Sequence, residues 1–325
     1  MNLSTRYSQK IEQHSFKILI VIISLVYGYL MNLGIYGFGK DFYANYGSAN
    51  ISYGGYEDRI GWIIATLKIG NFHIGVFLTS FLIAYSTLKV VVHFMEQVRK
   101  KRLDIFVFFL ISIIILHSWP IILSTSNAMR QGIMMSFLYL SLVSLDRKEN
   151  YKAVFFVLLM LLSHKSALLF ISMILSAVFF NRLITKQSNF IFFSVGVLVI
   201  FSFLLNYIPT PSGRIIGTDF SVVFLFIGLI TLLNLKPRSK KSKSIVSAYI
   251  YFFLLFSPVL YFGVANYQYE RIWMVNIILV MLVISSRVKK KSSYKSRNTS
   301  VCFFNGSYFP YGSIYSWTNM SIYFR

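Results

Sequence analysis

Cysteine and acidic residues are scarce in this chain of 325 residues, and both scarcities exclude kinds of site. The single cysteine, Cys302, rules out an internal disulfide and a cysteine-rich metal centre. Aspartate and glutamate number 10 against 32 lysines and arginines, and they are too scattered to indicate a carboxylate metal site. The chain also lacks a Gly-rich phosphate loop and a nucleotide-binding fingerprint. We therefore predict no metal and no cofactor.

Apolar residues, by contrast, are abundant. They make up 56% of the chain, aromatic residues make up 18%, and the mean hydropathy is +0.64. These values exceed those of a water-soluble domain, and the apolar runs are long enough to cross a hydrocarbon layer of about 30 Å as helices. The composition predicts an all-α, polytopic integral membrane helix bundle.

The net charge of +22 indicates membrane topology rather than nucleic-acid binding, because the charge is distributed in short clusters between apolar runs. By the positive-inside rule the following clusters face the cytoplasm: 6–17, 89–102, 147–152, 182–186, 236–243 and 287–297. The intervening loops carry few cations, and we expect them on the other face. Both termini are then cytoplasmic.

Ten membrane segments follow from this alternation of apolar runs and basic clusters. We predict them near residues 16–33, 72–93, 103–123, 129–145, 153–163, 166–180, 190–207, 221–235, 246–264 and 272–286. The stretch 153–180 is too short for two full spans, so we interpret it as a re-entrant hairpin of two short helices. The membrane domain is assigned to residues 1–291, with a large external loop at about 32–71 whose part 58–68 looks amphipathic. Residues 292–325 have no helical period and are expected to form an atypical, poorly ordered tail.

Two polar groups interrupt the apolar runs at predicted external ends, where ionisable residues are costly and are reasonable functional candidates. Arg130 and Gln131 lie at the start of a helix, which suits an anionic oxygen. His164, Lys165 and Ser166 form the predicted tip of the hairpin, where the histidine suits a base or a phosphate-binding donor. The plainer alternatives are an arginine that snorkels to the interface and a tip that only contacts water.

Other external groups supply further candidates. Tyr267, Glu270 and Arg271 lie in a predicted turn, where aromatic and polar groups suit a sugar or an interfacial aromatic belt. Arg214 adds a cation in another loop. The large external loop contributes Asp41, Tyr43 and Glu57, whose carboxylates suit either a general base or pairing with nearby cations. We expect the cations Arg130, His164, Lys165, Arg214 and Arg271 to meet on one membrane face, which suits a lipid-linked phosphate or pyrophosphate.

The order of these groups resembles the EpsG-like group of Wzy polysaccharide polymerases over about residues 16–286. The resemblance is carried by Arg130-Gln131 at a helix start, His164-x-Ser166-Ala167-Leu168 about thirty residues later, Glu270-Arg271 near the last helix, and Asp41-x-Tyr43 followed by Glu57. It implies a GT-C-like membrane glycosyltransferase of a bacterial inner membrane, which polymerises O-antigen or capsule polysaccharide at the periplasmic face.

The implied substrate is an oligosaccharide linked to undecaprenyl pyrophosphate, and a chain-length regulator is a further candidate partner. Catalytic roles would fall to His164, Arg130 and Arg271, and the arginines would neutralise the pyrophosphate. His164 would either deprotonate or orient the acceptor hydroxyl, or hold the leaving group. Substrate-binding roles would fall to Gln131, Lys165, Ser166, Arg214, Glu270, Tyr267, Asp41, Tyr43 and Glu57. The alternatives are a flippase or other transporter of the same lipid-linked oligosaccharide, and an acyltransferase or ligase that acts on the same glycan.

Overall fold

The regular elements of the computed structural model are helices. The structure describes residues 3–38, 42, 59–99, 105–126, 128–183, 196, 220–234, 244–264 and 266–292. Among these residues there is no strand, and an isolated bridge between Ile69 and Phe72 only closes a turn. The helices are α1 (Leu3–Asn32), α2 (Arg59–Thr66), α3 (Ile74–Arg99), α4 (Ile105–Leu116), α5 (Trp119–Ser126), α6 (Met129–Asp146), α7 (Asn150–Leu161), α8 (Ala167–Leu183), α9 (Phe220–Asn234), α10 (Ile245–Gly263) and α11 (Asn266–Ser292).

Helix α6 is the centre of the bundle, because nearly all of its side chains are buried. Two of its buried serines do not leave open donors in this apolar interior. The hydroxyl groups of Ser136 and Ser141 donate to carbonyl oxygens of the same helix, those of Gly132 and Leu138. Helix α4 is the opposite case, since most of its apolar side chains are exposed, as expected for a surface that faces lipid.

The two ends of α6 define the two ends of the bundle, which we call the Arg130 end and the Asp146 end. Helix α7 returns along α6 from the Asp146 end, and the rings of Phe137 and Phe156 lie 6.4 Å apart between the two helices. Helix α8 then runs back, so that Phe180 near its end lies 5.7 Å from Phe252 of α10. The connection between α7 and α8 therefore lies at the Arg130 end.

Four helices are long and apolar enough to cross a membrane, with spans at Ser15–Asn32, Ile74–Glu96, Ile245–Gly263 and Gln268–Ser285. A fifth span results if α4 and α5, which meet at a bend of 64°, are counted together. The protein is thus a multi-pass membrane protein. The residues that the structure describes contain fewer candidate membrane spans than the ten predicted segments. The segment predicted at 190–207 lies outside these residues, apart from Gly196.

The bend between α4 and α5 explains why the segment predicted at 103–123 is not one straight helix. Pro120 has no N–H to donate to the carbonyl of Leu116 four residues earlier, and its ring crowds that carbonyl. The Leu116 oxygen instead accepts a hydrogen bond of 2.9 Å from the hydroxyl of Tyr27 in α1. A neighbouring helix thereby satisfies the carbonyl that proline leaves open, as backbone groups in lipid require.

Two other predicted segments differ from the observed helices in an informative way. The stretch 153–180 does form two helices, α7 and α8, separated at residues 162–166, whereas its re-entrant depth in the membrane stays a prediction. Helix α11 begins at Asn266, six residues before the predicted start, so Glu270 and Arg271 lie in a helix and not in a turn.

The chain divides into two units, Met1–Ile284 and Ser285–Arg325. Residues 293–325 lie outside the described part.

At the Asp146 end, one buried carboxylate joins three helices. Asp146, at the end of α6, accepts a hydrogen bond from Ser244 Oγ at 2.6 Å and another from the backbone N–H of Ile245, the first residue of α10. It also pairs with His93 of α3, with 3.2 Å between His93 Nε2 and Asp146 Oδ2. Asp146 therefore supplies the N-terminal cap of a helix about a hundred residues away in the sequence.

We expect Ser244→Ala to lower the free energy of unfolding by about 1 kcal/mol, since it removes one hydrogen bond to a buried carboxylate that keeps its other partners. Unfolding of the purified protein in mixed detergent micelles measures this loss. Ser176→Ala is the matched control, because the Ser176 hydroxyl bonds only to Ser172 of its own helix among the described residues. An equal loss for the two variants would contradict the role given to Asp146.

Candidate functional site

The connection between α7 and α8 is held in place by the short helix α2. The backbone N–H of Ile60 donates to the carbonyl oxygen of Leu162 at 3.1 Å. Gly61 lies so close to this connection that a Cβ atom added to it would be 2.3 Å from Ser163 O and 3.3 Å from Arg130 Cγ. Only a residue without a side chain allows this approach. Helix α2 thus docks its backbone onto the loop that carries His164.

Helix α2 also places an aromatic ring beneath Arg130. The Cζ atom of Arg130 lies over the Trp62 ring, 4.1 Å from its centroid, within the range of a cation–π contact. Trp62 is only 8% exposed, while the next residue, Ile63, is 50% exposed. The amphipathic stretch predicted at 58–68 is therefore a helix whose buried face contacts the site. A stacked ring uses none of the guanidinium N–H donors, which point outward in the plane of that group.

His164 lies in the connection itself, outside the candidate membrane spans, and its ring is fixed by Ser166. The Nδ1 atom of His164 accepts a hydrogen bond of 3.1 Å from the backbone N–H of Ser166 and lies 2.8 Å from Ser166 Oγ. The Ser166 hydroxyl also lies 3.3 Å from the sulfur of Met134 in α6. Ser166 therefore holds the ring by its Nδ1 edge and is itself in contact with α6.

Three cations act electrostatically on this histidine. Burial first, and then the charges of Arg130, Arg271 and Lys165, together lower the pKa of His164 from its ordinary 6.5 to about 4. At neutral pH the imidazole is uncharged. Arg130, Arg271 and Lys165 come from three parts of the sequence, and each contributes to the lowered pKa of His164. The site is positive without a charge on the histidine.

Helix α11 brings Arg271 to this end and is itself anchored to α6. Gln131 Nε2 donates to the carbonyl oxygen of Arg271 at 2.6 Å, and Gln131 is buried. One residue earlier, Glu270 Oε1 accepts a hydrogen bond of 3.1 Å from Ser221 Oγ at the start of α9. Gln131 thus contacts the backbone of α11, and Glu270 is the carboxylate that the described residues place at the Arg130 end.

The structure brings together seven of the twelve residues named from the sequence, namely Arg130, Gln131, His164, the exposed Lys165, Ser166, Glu270 and Arg271. Tyr267 lies in the first turn of α11, but its side chain is outside the described part. Arg214, Asp41, Tyr43 and Glu57 also lie outside the described residues, so their place in the site stays a prediction.

Sequence reasoning missed several residues that shape the site, namely Gly61, Trp62, Met134 and Ser221. An amphipathic period marked the helix that carries Gly61 and Trp62, but it gave no sign of the arginine above it. Met134 and Ser221 had no signal at all, because each contributes through a contact with a residue more than thirty positions away.

Several membrane-spanning helices and a cationic end with a neutral histidine define a multi-pass membrane protein whose site suits a phosphate-bearing ligand. The model of the EpsG family matches residues 15–324, nearly the whole chain. The chain therefore belongs to the EpsG family of Wzy-like polymerases, and the resemblance stated above is confirmed. The match also continues past residue 286, where we had ended the resemblance. No curated protein and no solved structure matches the chain, and the GT-C-like arrangement stays a prediction.

Proposed function

We propose that this protein is an O-antigen or capsule polysaccharide polymerase that joins oligosaccharide repeat units carried on undecaprenyl pyrophosphate. Family membership supports a membrane polymerase of polysaccharides. The observation that carries the finer proposal is the convergence of Arg130, Arg271 and Lys165 on His164. Three positive charges at the end of an apolar bundle suit a pyrophosphate that is tethered to a lipid.

The geometry also suits the lipid tail of such a ligand. Leu162 and Leu168, which flank the His164 loop, are 42% and 69% exposed, and Ile63 of α2 is half exposed. In a bilayer these side chains would contact acyl or isoprenoid chains at no cost. A pyrophosphate at the site would then have its lipid alongside α2 and the hairpin.

In the proposed reaction, a hydroxyl at the non-reducing end of one repeat unit attacks the anomeric carbon of the growing chain. The bond from that carbon to the pyrophosphate oxygen breaks, and its electron pair stays on undecaprenyl pyrophosphate. Arg130 and Arg271 stabilise the charge that develops there. The proton of the attacking hydroxyl passes to a carboxylate, for which Glu270 is the candidate among the described residues. No nucleotide is consumed, because the pyrophosphate linkage already stores the free energy.

We place the protein in a bacterial inner membrane, with the Arg130 end at the periplasmic face and both termini in the cytoplasm. The charge distribution supports this orientation, because the basic cluster 147–152 lies at the Asp146 end, and the cluster 236–243 directly precedes in the sequence Ser244, which bonds to Asp146. A chain-length regulator would meet the polymerase on the same face.

Deletion of the gene is expected to leave a single repeat unit on its final acceptor, and the wild-type gene is expected to restore the ladder of longer chains. Gel profiles of the lipopolysaccharide or capsule measure this directly. Loss of the glycan altogether would instead indicate a flippase, because no repeat unit would reach the outer face. An unchanged ladder in the deletion strain would contradict a role in polymerisation.

A further inference from the structure

The hydrogen bonds of His164 determine which of its two nitrogens carries the proton. A backbone N–H cannot reverse its direction, so the 3.1 Å bond from Ser166 N to His164 Nδ1 requires a lone pair on Nδ1. The Ser166 hydroxyl, 2.8 Å from the same nitrogen, can donate to it as well. A neutral imidazole carries one proton, which must then be on Nε2.

The surroundings keep the ring neutral. The charged groups that act on it, Arg130 of α6, Arg271 of α11 and its neighbour Lys165, are all positive, and burial also disfavours the imidazolium ion. Protonation of Nδ1 would in addition place its N–H against the N–H of Ser166. Both effects favour the same form, a neutral ring with its N–H on Nε2.

In this form Nε2 carries a proton, so it can donate a hydrogen bond but cannot act as a base. A base must offer a lone pair to the acceptor hydroxyl, but the lone pair of this ring is directed at Ser166. Within the part of the chain that the structure describes, His164 Nε2 makes no hydrogen bond, so its N–H is available to a ligand. Beside three cations, the acceptor that suits this donor best is an anionic phosphate oxygen.

We propose that His164 acts as a neutral hydrogen-bond donor, through Nε2–H, to an oxygen of the pyrophosphate leaving group, and that it is not the general base. This inference rests on the proposed function and assigns the role of one residue within it. Ser166 is then a positioning residue: it fixes the tautomer of His164 and does not itself contact the substrate.

The variants His164→Gln and His164→Ala separate the two roles. Glutamine presents an amide N–H at about the reach of Nε2, but it has no basic lone pair at any working pH. A donor role predicts that His164→Gln keeps activity within about tenfold of wild type, whereas His164→Ala, which lacks the donor, falls by about 100-fold or more. A base role predicts that both variants are equally inactive. Activity is measured on a synthetic lipid-linked repeat unit with protein in nanodiscs, at equal amounts of folded protein.

Two further measurements do not depend on the rate alone. Wild type and His164→Gln should share one pH profile between about pH 5.5 and 8, because the donor does not titrate there. Nitrogen-15 NMR of histidine-labelled protein, with His164→Gln to assign the signal, should show the proton of His164 on Nε2. A proton on Nδ1, or equal inactivity of the glutamine and alanine variants, would overturn the inference. If wild-type protein itself fails to extend the repeat unit, the proposed function fails instead.

Discussion

Arg130→Ala is expected to reduce polymerisation by about 100- to 1000-fold, which is the usual loss when one preorganised donor to a developing oxyanion is removed. Three observations place the guanidinium for that task. It lies at the start of α6, its charge lowers the pKa of His164, and the Trp62 ring lies beneath it. The helix start adds partial positive charge in the same place. On the gel, the variant should leave the short-chain pattern of the deletion strain.

Two substitutions control for this result. Arg147→Ala removes a cation from the other end of the same helix, where the side chain is exposed, and should leave the ladder unchanged. Arg130→Lys keeps the charge but loses the planar group that stacks on Trp62 and binds two oxygens at once, so its activity should fall between those of wild type and the alanine variant. Activity of Arg130→Ala within threefold of wild type, at equal membrane content, would exclude Arg130 from the site.

Gly61→Ala is expected to cost about 100-fold in activity, because a displacement of about 1 Å at a catalytic loop has effects of that size. The new Cβ atom would lie 2.3 Å from Ser163 O, a backbone atom that cannot rotate away. Helix α2 must therefore move off the loop that carries His164, and Trp62 must move with it. The hydrogen bond from Ile60 N to Leu162 O should weaken as a result.

Hydrogen exchange measures that separation independently of activity. In Gly61→Ala, exchange should become faster at the Ile60 amide and stay unchanged in α10 and α11, which shows that the bundle is folded. Gly196→Ala is the matched control, since no atom of the described residues lies within 4 Å of a Cβ atom at that position. Slow exchange at Ile60 together with full activity in Gly61→Ala would contradict the proposed docking.

Both expectations concern contacts that no local pattern in the sequence could reveal. Arg130 was predicted to lie at a helix start near a polar hairpin tip, and it does. The prediction gave no partner for Arg130, because Trp62 lies 68 positions earlier in the sequence. The amphipathic period around Trp62 fitted a helix on the membrane surface as well as a helix packed against the site. Similarly, Glu270 and Arg271 were assigned to a turn, because hydropathy alone could not show that α11 begins before its apolar part.

The amino-acid sequence by itself determined the class of protein, the position of most helices and the break at His164, Lys165 and Ser166. These features depend on local free energies, namely the transfer of apolar runs into lipid and the cost of placing charge there. The tertiary structure alone decided which distant arginines act on His164 and which glycine lets α2 approach. Those features depend on distances between residues far apart in the chain, and they are set by how the helices pack.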